Sequence, residues 1–192
     1  AAQKSGVMHA LDPSTKGKVL WTNKIAEGGV QGGLQWGQAA DDKYVYASRS
    51  DTRWISESHI AANVVIDPTV GGGLFAVDIK TGKTRWQAPA VSCAGRERCS
   101  PSQSGAVTAI EGAVFASSVS GEMRAFDSAT GKEIWRYDTV REFDTVNGAH
   151  GYGGAIDQAG AVVVDTMVYF TSGYSKWGAN PGNVVLAFGL PN

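Results

Sequence analysis

Residues 123–135 read MRAFDSATGKEIW, and this stretch decides the fold. A strand of alternating side chains ends at Asp127, a Thr-Gly turn follows, and a second strand carries Trp135. Glycine suits the turn because it adopts positive φ without steric cost, and the aspartate can accept hydrogen bonds from turn N–H groups. The stretch therefore predicts a β-hairpin whose tryptophan packs against a neighbouring element.

The same template recurs along the chain. Residues 74–86 read LFAVDIKTGKTRW, and residues 7–21 read VMHALDPSTKGKVLW, with one extra residue in the turn. A partial copy, VVLAFG, occupies residues 184–189. Further strand pairs are predicted upstream of the later copies, within residues 39–48, 106–118 and 161–172. Four strands in each repeated unit are typical of a propeller blade.

The predicted fold class is therefore all-β, a partial β-propeller of four-stranded blades with about thirteen strands. We expect a single unit over residues 1–192, divided into the end of one blade (1–26), a second blade (33–90), a third blade (104–140) and an incomplete last blade (154–192). Such an arc has open sheet edges. We therefore expect it to pair with upstream blades or with a second copy of itself.

Composition excludes several classes of function. The formal net charge is −1 and 18% of the residues are charged, so the basic excess that nucleic-acid binding needs is missing. No run of 18 apolar residues occurs, which predicts no membrane-spanning helix. Cys93 and Cys99 lie six positions apart. This spacing favours a short-loop disulfide in an oxidising compartment over two free thiols.

Several sequence stretches between the repeats indicate which family of propellers the chain resembles. They read QKSG at 3–6, GGLQWG at 32–37, CSP at 99–101, FDTVNG at 143–148, GGAIDQAG at 153–160 and PGNVVLAF at 181–188. In this order they resemble the C-terminal region of cytochrome-dependent polyvinyl-alcohol dehydrogenases, which are PQQ-dependent quinoproteins. The hairpin template likewise resembles the PQQ-enzyme repeat.

The resemblance implies an eight-bladed propeller, located in the periplasm or secreted, that holds PQQ and a calcium ion. It implies oxidation of secondary or polymeric alcohols, with electrons passed to cytochrome c. It also implies that the catalytic aspartate and most calcium ligands lie before Ala1, and we name no metal ligand in this chain. No Cys-x-x-Cys-His motif occurs, so we expect no haem attached to this chain.

Loops on one face of the predicted arc supply the candidate site. Lys4 matches a basic residue that faces the quinone oxygens in related enzymes, which implies an electrophilic catalytic role beside cofactor binding. The alternative is an exposed loop lysine. Trp36 is either a stacking plane for the cofactor or a wedge between blades.

Three further residues complete the predicted cofactor site. Asn147 could donate a hydrogen bond to a PQQ carboxylate near Gly154, and Trp177 either caps the cofactor or fills the face. A rival function is a non-catalytic scaffold for protein–protein interaction in the cell envelope, because the same repeat occurs in propellers without a cofactor. A scaffold would have no reason for Lys4, Trp36, Asn147 and Trp177 to converge on one cavity, so the dehydrogenase interpretation expects these four residues to line the same cavity.

Overall fold

A computed structural model of the chain describes residues 1–55, 64–174 and 178–190. Within these ranges the chain forms five antiparallel sheets and no α-helix. The first sheet is β1 (Val7–Asp12) and β2 (Lys18–Lys24), and the second is β3 (Ala39–Ala40), β4 (Tyr44–Ser48), β5 (Leu74–Asp78) and β6 (Thr84–Ala88). The third is β7 (Thr108–Ile110), β8 (Ala113–Ser117), β9 (Glu122–Asp127) and β10 (Glu133–Asp138). The fourth is β11 (Glu142–Asp144) and β12 (His150–Tyr152), and the last is β13 (Val162–Val164), β14 (Met167–Ser172) and β15 (Val184–Gly189).

Strands that follow one another in sequence pair as neighbours in every sheet. The order is β3-β4-β5-β6 in the second sheet and β10-β9-β8-β7 in the third, so each is a four-stranded meander. This is the blade that the repeat predicts, and the all-β fold class is confirmed. Among the described residues, no helix has the length and apolar character needed to cross a membrane.

The aspartate of each repeat closes its turn. The carboxylate of Asp78 accepts hydrogen bonds from the Thr81 N–H at 2.8 Å and from the Thr81 hydroxyl at 2.9 Å. Asp127 receives the same pair from Thr130, and Asp12 receives a pair from Ser14. The hydrogen bonds from Thr81 hold the pKa of the Asp78 carboxyl below its ordinary value.

The tryptophan of each repeat joins its sheet to the next one. The Trp86 indole N–H donates to the Ser128 carbonyl at 3.0 Å, and the Trp21 N–H donates to the Ile79 carbonyl at 2.8 Å. The rings of Trp21 and Trp86 cover turn glycines of the next repeat, Gly82 and Gly131. A Cβ at Gly131 would lie 2.6 Å from the Trp86 ring, so glycine is required there. The repeat thus encodes the contact between blades as well as the hairpin.

The hydrophobic core lies between consecutive sheets. Tyr46, Leu74 and Trp86 of the second sheet pack against Val114 and Phe126 of the third. Equivalent clusters join the first sheet to the second and the third to the last, and they are formed by Met8, Leu34, Phe75 and Val77, and by Phe115, Met123, Ile156 and Phe170. Because each cluster needs both of its sheets, the blades stabilise one another.

One element was not predicted from the sequence. Strands β11 and β12 form an additional hairpin between the third and last sheets. Its turn is closed by the Gly148 N–H, which donates to the Thr145 carbonyl at 3.0 Å. The hairpin places Asn147 in a projecting turn rather than in a simple connecting loop.

Candidate cofactor-binding face

The candidate residues within the described part of the chain, Lys4, Trp36, Asn147 and Gly154, lie at one end of the sheets. In an antiparallel meander, the loop between the second and third strands emerges at the same end as the connection to the next sheet. Residues 25–38, 89–107 and 139–161 are connections of this kind, and Lys4 lies directly before β1. The repeat turns at Asp78 and Asp127 lie at the opposite end.

Lys4 and Trp36 line the same open cavity. Its volume is about 440 Å³, and its other walls are Ala2, Leu34, Gln35, Gly37 and Gln38. The Lys4 ammonium group donates to the Val30 carbonyl at 2.8 Å. Of its three N–H donors, two are therefore left for a ligand. Trp36 is 55% exposed, so its indole is accessible to a stacking partner.

Trp36 has an unusual backbone conformation. Its φ is +25°, and it lies at the centre of a tight turn in which the Gly37 N–H donates to the Gln35 carbonyl at 2.5 Å. Positive φ is rare for a bulky residue, and such strained conformations cluster at functional sites. The conformation holds a large apolar side chain towards solvent beside Lys4.

Residues 27–33, which we call the glycine arch, form a further part of this face. The arch lies over Lys4 and is bonded to Asp51, whose side chain is only 5% exposed. Asp51 was not identified as a functional residue from the sequence. The paired glycines at 28–29 and 32–33 are the sequence signal for a loop packed closely against other backbone.

Asn147 and Gly154 do not join Lys4 and Trp36. Asn147 lines a separate cavity of about 480 Å³ between its hairpin and β15, and its side-chain oxygen accepts bonds from Thr145 and Ala149 of its own turn. Gly154 is buried, and its N–H donates to the Ser172 hydroxyl at 2.9 Å. Trp177 lies outside the described residues. The cofactor-binding roles of these three residues stay predictions.

The disulfide is present. Cys93 and Cys99 are bonded and both are buried, so the expectation of a short-loop disulfide is confirmed. The loop between them contacts a distant segment. Arg98 donates to the carbonyls of Gly178 and Ala179, and the Asn180 side chain donates to the Glu97 carbonyl.

The available side chains fit a flat polyanion better than a metal ion. One cation, one exposed indole plane and two side-chain amides, those of Gln35 and Gln38, line the cavity of Lys4. These are groups that bind and stack a planar carboxylate-bearing cofactor. Across the described part of the chain, no group of three or more His, Cys, Asp or Glu residues could hold a metal ion.

Four-stranded sheets, turn aspartates and tryptophans that cover the glycine of the next repeat define successive blades of the PQQ-repeat type. Comparison with known sequences agrees, because a family model described as "Outer membrane protein assembly factor BamB" matches residues 50–174. The chain belongs to this PQQ_2 repeat family.

Comparison with individual curated proteins narrows the relationship beyond the shared repeat. The chain is 37% identical to a polyvinylalcohol dehydrogenase of Sphingopyxis sp. (strain 113P3) and 34% identical to one of Pseudomonas sp.. Each alignment covers 98% of this chain and 29% of the relative, so the chain spans less than a third of their length. The resemblance seen in the sequence is confirmed.

A solved structure shows the same fold at low identity. A quinohemoprotein alcohol dehydrogenase from Pseudomonas putida HK5 superposes with a TM-score of 0.61 at 15% identity, over 98% of this chain and 36% of that chain. At this identity the likeness concerns the fold alone.

Proposed function

We propose that this chain contributes part of the PQQ site of a quinoprotein dehydrogenase that oxidises secondary or polymeric alcohols and passes the electrons to cytochrome c. The observation that carries the proposal is the shared cavity of Lys4 and Trp36, in a chain 37% identical to a polyvinylalcohol dehydrogenase. PQQ, when bound, supplies an electrophilic quinone that accepts the hydride equivalent of the alcohol.

Lys4 provides positive charge at this cavity. Its ammonium group is anchored by the Val30 carbonyl and keeps two N–H donors free, so it can bind a carboxylate or stabilise charge on a quinone oxygen. Trp36 offers an aromatic plane beside it, and a cavity of about 440 Å³ lies within the range of cofactor sites. The proposal requires only these two of the predicted site residues.

The remaining parts of the site belong to other blades in this proposal. The described residues offer no carboxylate cluster for calcium, so the calcium ligands and the catalytic base would come from elsewhere in the complete protein. Strand β15 pairs only with β14 among the described strands, and its other edge can pair with a further blade or with a second copy. The buried disulfide suits a periplasmic or secreted location.

Retention of the cofactor tests the proposal. The purified protein is incubated with PQQ and calcium, passed over a gel-filtration column and scanned for quinone absorbance that migrates with the protein. We expect retention by the wild type and weaker binding, by about tenfold, in Lys4→Met and Trp36→Ala. Lys132→Met is the matched control, because Lys132 lies in a repeat turn at the opposite end of the sheets.

A non-catalytic scaffold in the cell envelope is the second candidate function. The description of the matching family model, an outer membrane protein assembly factor, favours it. A scaffold would retain no PQQ, and Lys4→Met would leave its properties unchanged. Failure of the wild type to retain PQQ in the gel-filtration assay, both alone and after pairing with the upstream blades of such a propeller, would therefore refute the dehydrogenase proposal and support the scaffold.

A further inference from the structure

We infer that Asp51 is a positioning residue for Lys4, acting through the glycine arch of residues 27–33. The carboxylate holds the arch in shape, and the arch in turn fixes the Lys4 backbone and receives the Lys4 ammonium group. The use of this arrangement for a quinone rests on the proposed function. The arrangement itself can be measured without a cofactor.

The Asp51 carboxylate accepts three backbone hydrogen bonds from the arch. The Glu27 N–H donates to Oδ2 at 2.9 Å, and the N–H groups of Gly28 and Gly33 donate to Oδ1 at 3.0 and 2.8 Å. The two ends of the arch are thus held by one buried side chain. Bonds to a charged acceptor are about twice as strong as neutral ones, which suits a side chain that is only 5% exposed.

The neighbours of Asp51 bind the arch from the same side. The Ser50 N–H donates to the Gly33 carbonyl at 2.9 Å, and the Thr52 N–H donates to the Gln31 carbonyl at 3.1 Å. Glu27 and Gly28, at the beginning of the arch, are held through their N–H groups by Asp51. Loss of the carboxylate would therefore remove these backbone bonds from the beginning of the arch, where the exposed Glu27 side chain still pairs with Arg53, while the end of the arch stays bonded to the Ser50 backbone.

The arch lies directly on Lys4. The Gly29 N–H donates to the Lys4 carbonyl at 3.1 Å, and the Val30 carbonyl accepts from the Lys4 ammonium group at 2.8 Å. At Gly33, where φ is +72°, a Cβ would lie 2.3 Å from the Lys4 carbonyl oxygen. The close approach leaves Lys4 no room to shift unless the arch moves, so the shape of the arch sets the position of Lys4.

Only a carboxylate satisfies all three donors. An asparagine at position 51 tolerates the local φ of +47° as aspartate does, but it has a single acceptor oxygen. Its amide nitrogen would face at least one of the N–H groups that now bind an oxygen. Asp51→Asn therefore removes at least one of the three hydrogen bonds with almost no change in volume.

The first measurement is the rate at which an amine-specific reagent labels Lys4 in the full chain, followed by mass spectrometry. Asp51→Asn should raise this rate about fivefold, the effect of one lost hydrogen bond of ordinary strength. Asp51→Glu, which keeps the charge, should raise it less, and it replaces Asp51→Asn if that variant does not fold. Asp67→Asn is the matched control, because that carboxylate accepts hydrogen bonds from Thr69 rather than from the arch.

The second measurement is a double-mutant cycle on PQQ binding. Asp51→Asn should weaken binding about fivefold in the wild-type background and less than twofold in Lys4→Met, because its effect passes through Lys4. Equal weakening in both backgrounds would overturn the positioning role, and so would a labelling rate of Lys4 that Asp51→Asn leaves unchanged. If the wild type binds no PQQ even after pairing with upstream blades, the proposed function fails, and the labelling rate alone decides the role of Asp51.

Discussion

Replacing Gly82 with alanine tests whether the tryptophan–glycine contact between blades contributes to stability. Gly82 has a φ of +71°, and a Cβ there would lie 2.5 Å from Cδ2 of the Trp21 ring. Gly17 occupies the same turn of the first repeat with a φ of +80°, and a Cβ there would meet nothing within 4 Å. The two substitutions therefore share the backbone strain and differ in the contact with tryptophan.

The expected loss of unfolding free energy follows from two effects, the backbone strain at positive φ and the contact with the tryptophan ring. Alanine at positive φ costs about 1 kcal/mol, which is the whole effect expected for Gly17→Ala. At Gly82 the rigid indole must also move by roughly 1 Å to restore an ordinary contact, and overpacking of this kind costs about 1–3 kcal/mol. Gly82→Ala should therefore destabilise the protein by about 2–4 kcal/mol.

Urea denaturation followed by tryptophan fluorescence measures both variants. With a slope of about 2 kcal/mol per molar urea, the midpoint of Gly82→Ala should lie roughly 0.5–1.5 M below that of Gly17→Ala. Gly131→Ala, which meets Trp86, should behave like Gly82→Ala. Equal midpoints for Gly17→Ala and Gly82→Ala would show that the contact between blades contributes no stability, and the packing argument would be wrong.

Two further predictions concern the turns and the disulfide. Because hydrogen bonds lower the pKa of Asp78 in the folded state, its contribution to stability is complete above about pH 4 and declines as the pH falls through the folded-state pKa. The difference in unfolding free energy between wild type and Asp78→Asn should therefore shrink between neutral pH and about pH 3. A difference that stays constant with pH would contradict the conclusion that the ionised Asp78 carboxylate stabilises the turn. Replacing both Cys93 and Cys99 with alanine opens a loop of sequence separation 6 and should cost about 2 kcal/mol in a urea titration. A reductant should then destabilise the wild type by a similar amount and leave the double variant unchanged; a further loss in the double variant would contradict the prediction.

The repeat hairpins could be predicted because two independent local signals coincide in them. Alternating side chains define the strands, and Asp, Thr and Gly define the turn between them. The hairpin of β11 and β12 has strands of three residues, which are too short to show alternation. The Asn147-Gly148 pair was the one sequence feature that could have indicated this hairpin, since Asn-Gly is a common hairpin turn.

The candidate site was predictable only in part. Lys4 and Trp36 are far apart in sequence, and the order of strands was enough to place both on one face. The same reasoning placed Asn147 on that face but could not show that a hairpin carries it to a different cavity. The role of Asp51 could not be predicted, because it depends on three backbone N–H groups that converge only when the glycines of the arch adopt their folded conformation.

The disulfide loop has a consequence for how the molecule opens. The loop lies between the second and third sheets, yet Arg98 and Glu97 are bonded to residues 178–180, in the loop between β14 and β15 of the last sheet. Segments about 80 positions apart in sequence are therefore coupled across the intervening blade. In native-state hydrogen exchange they should behave as one cooperative unit, with local unfolding of the last blade exposing the amides of the disulfide loop as well.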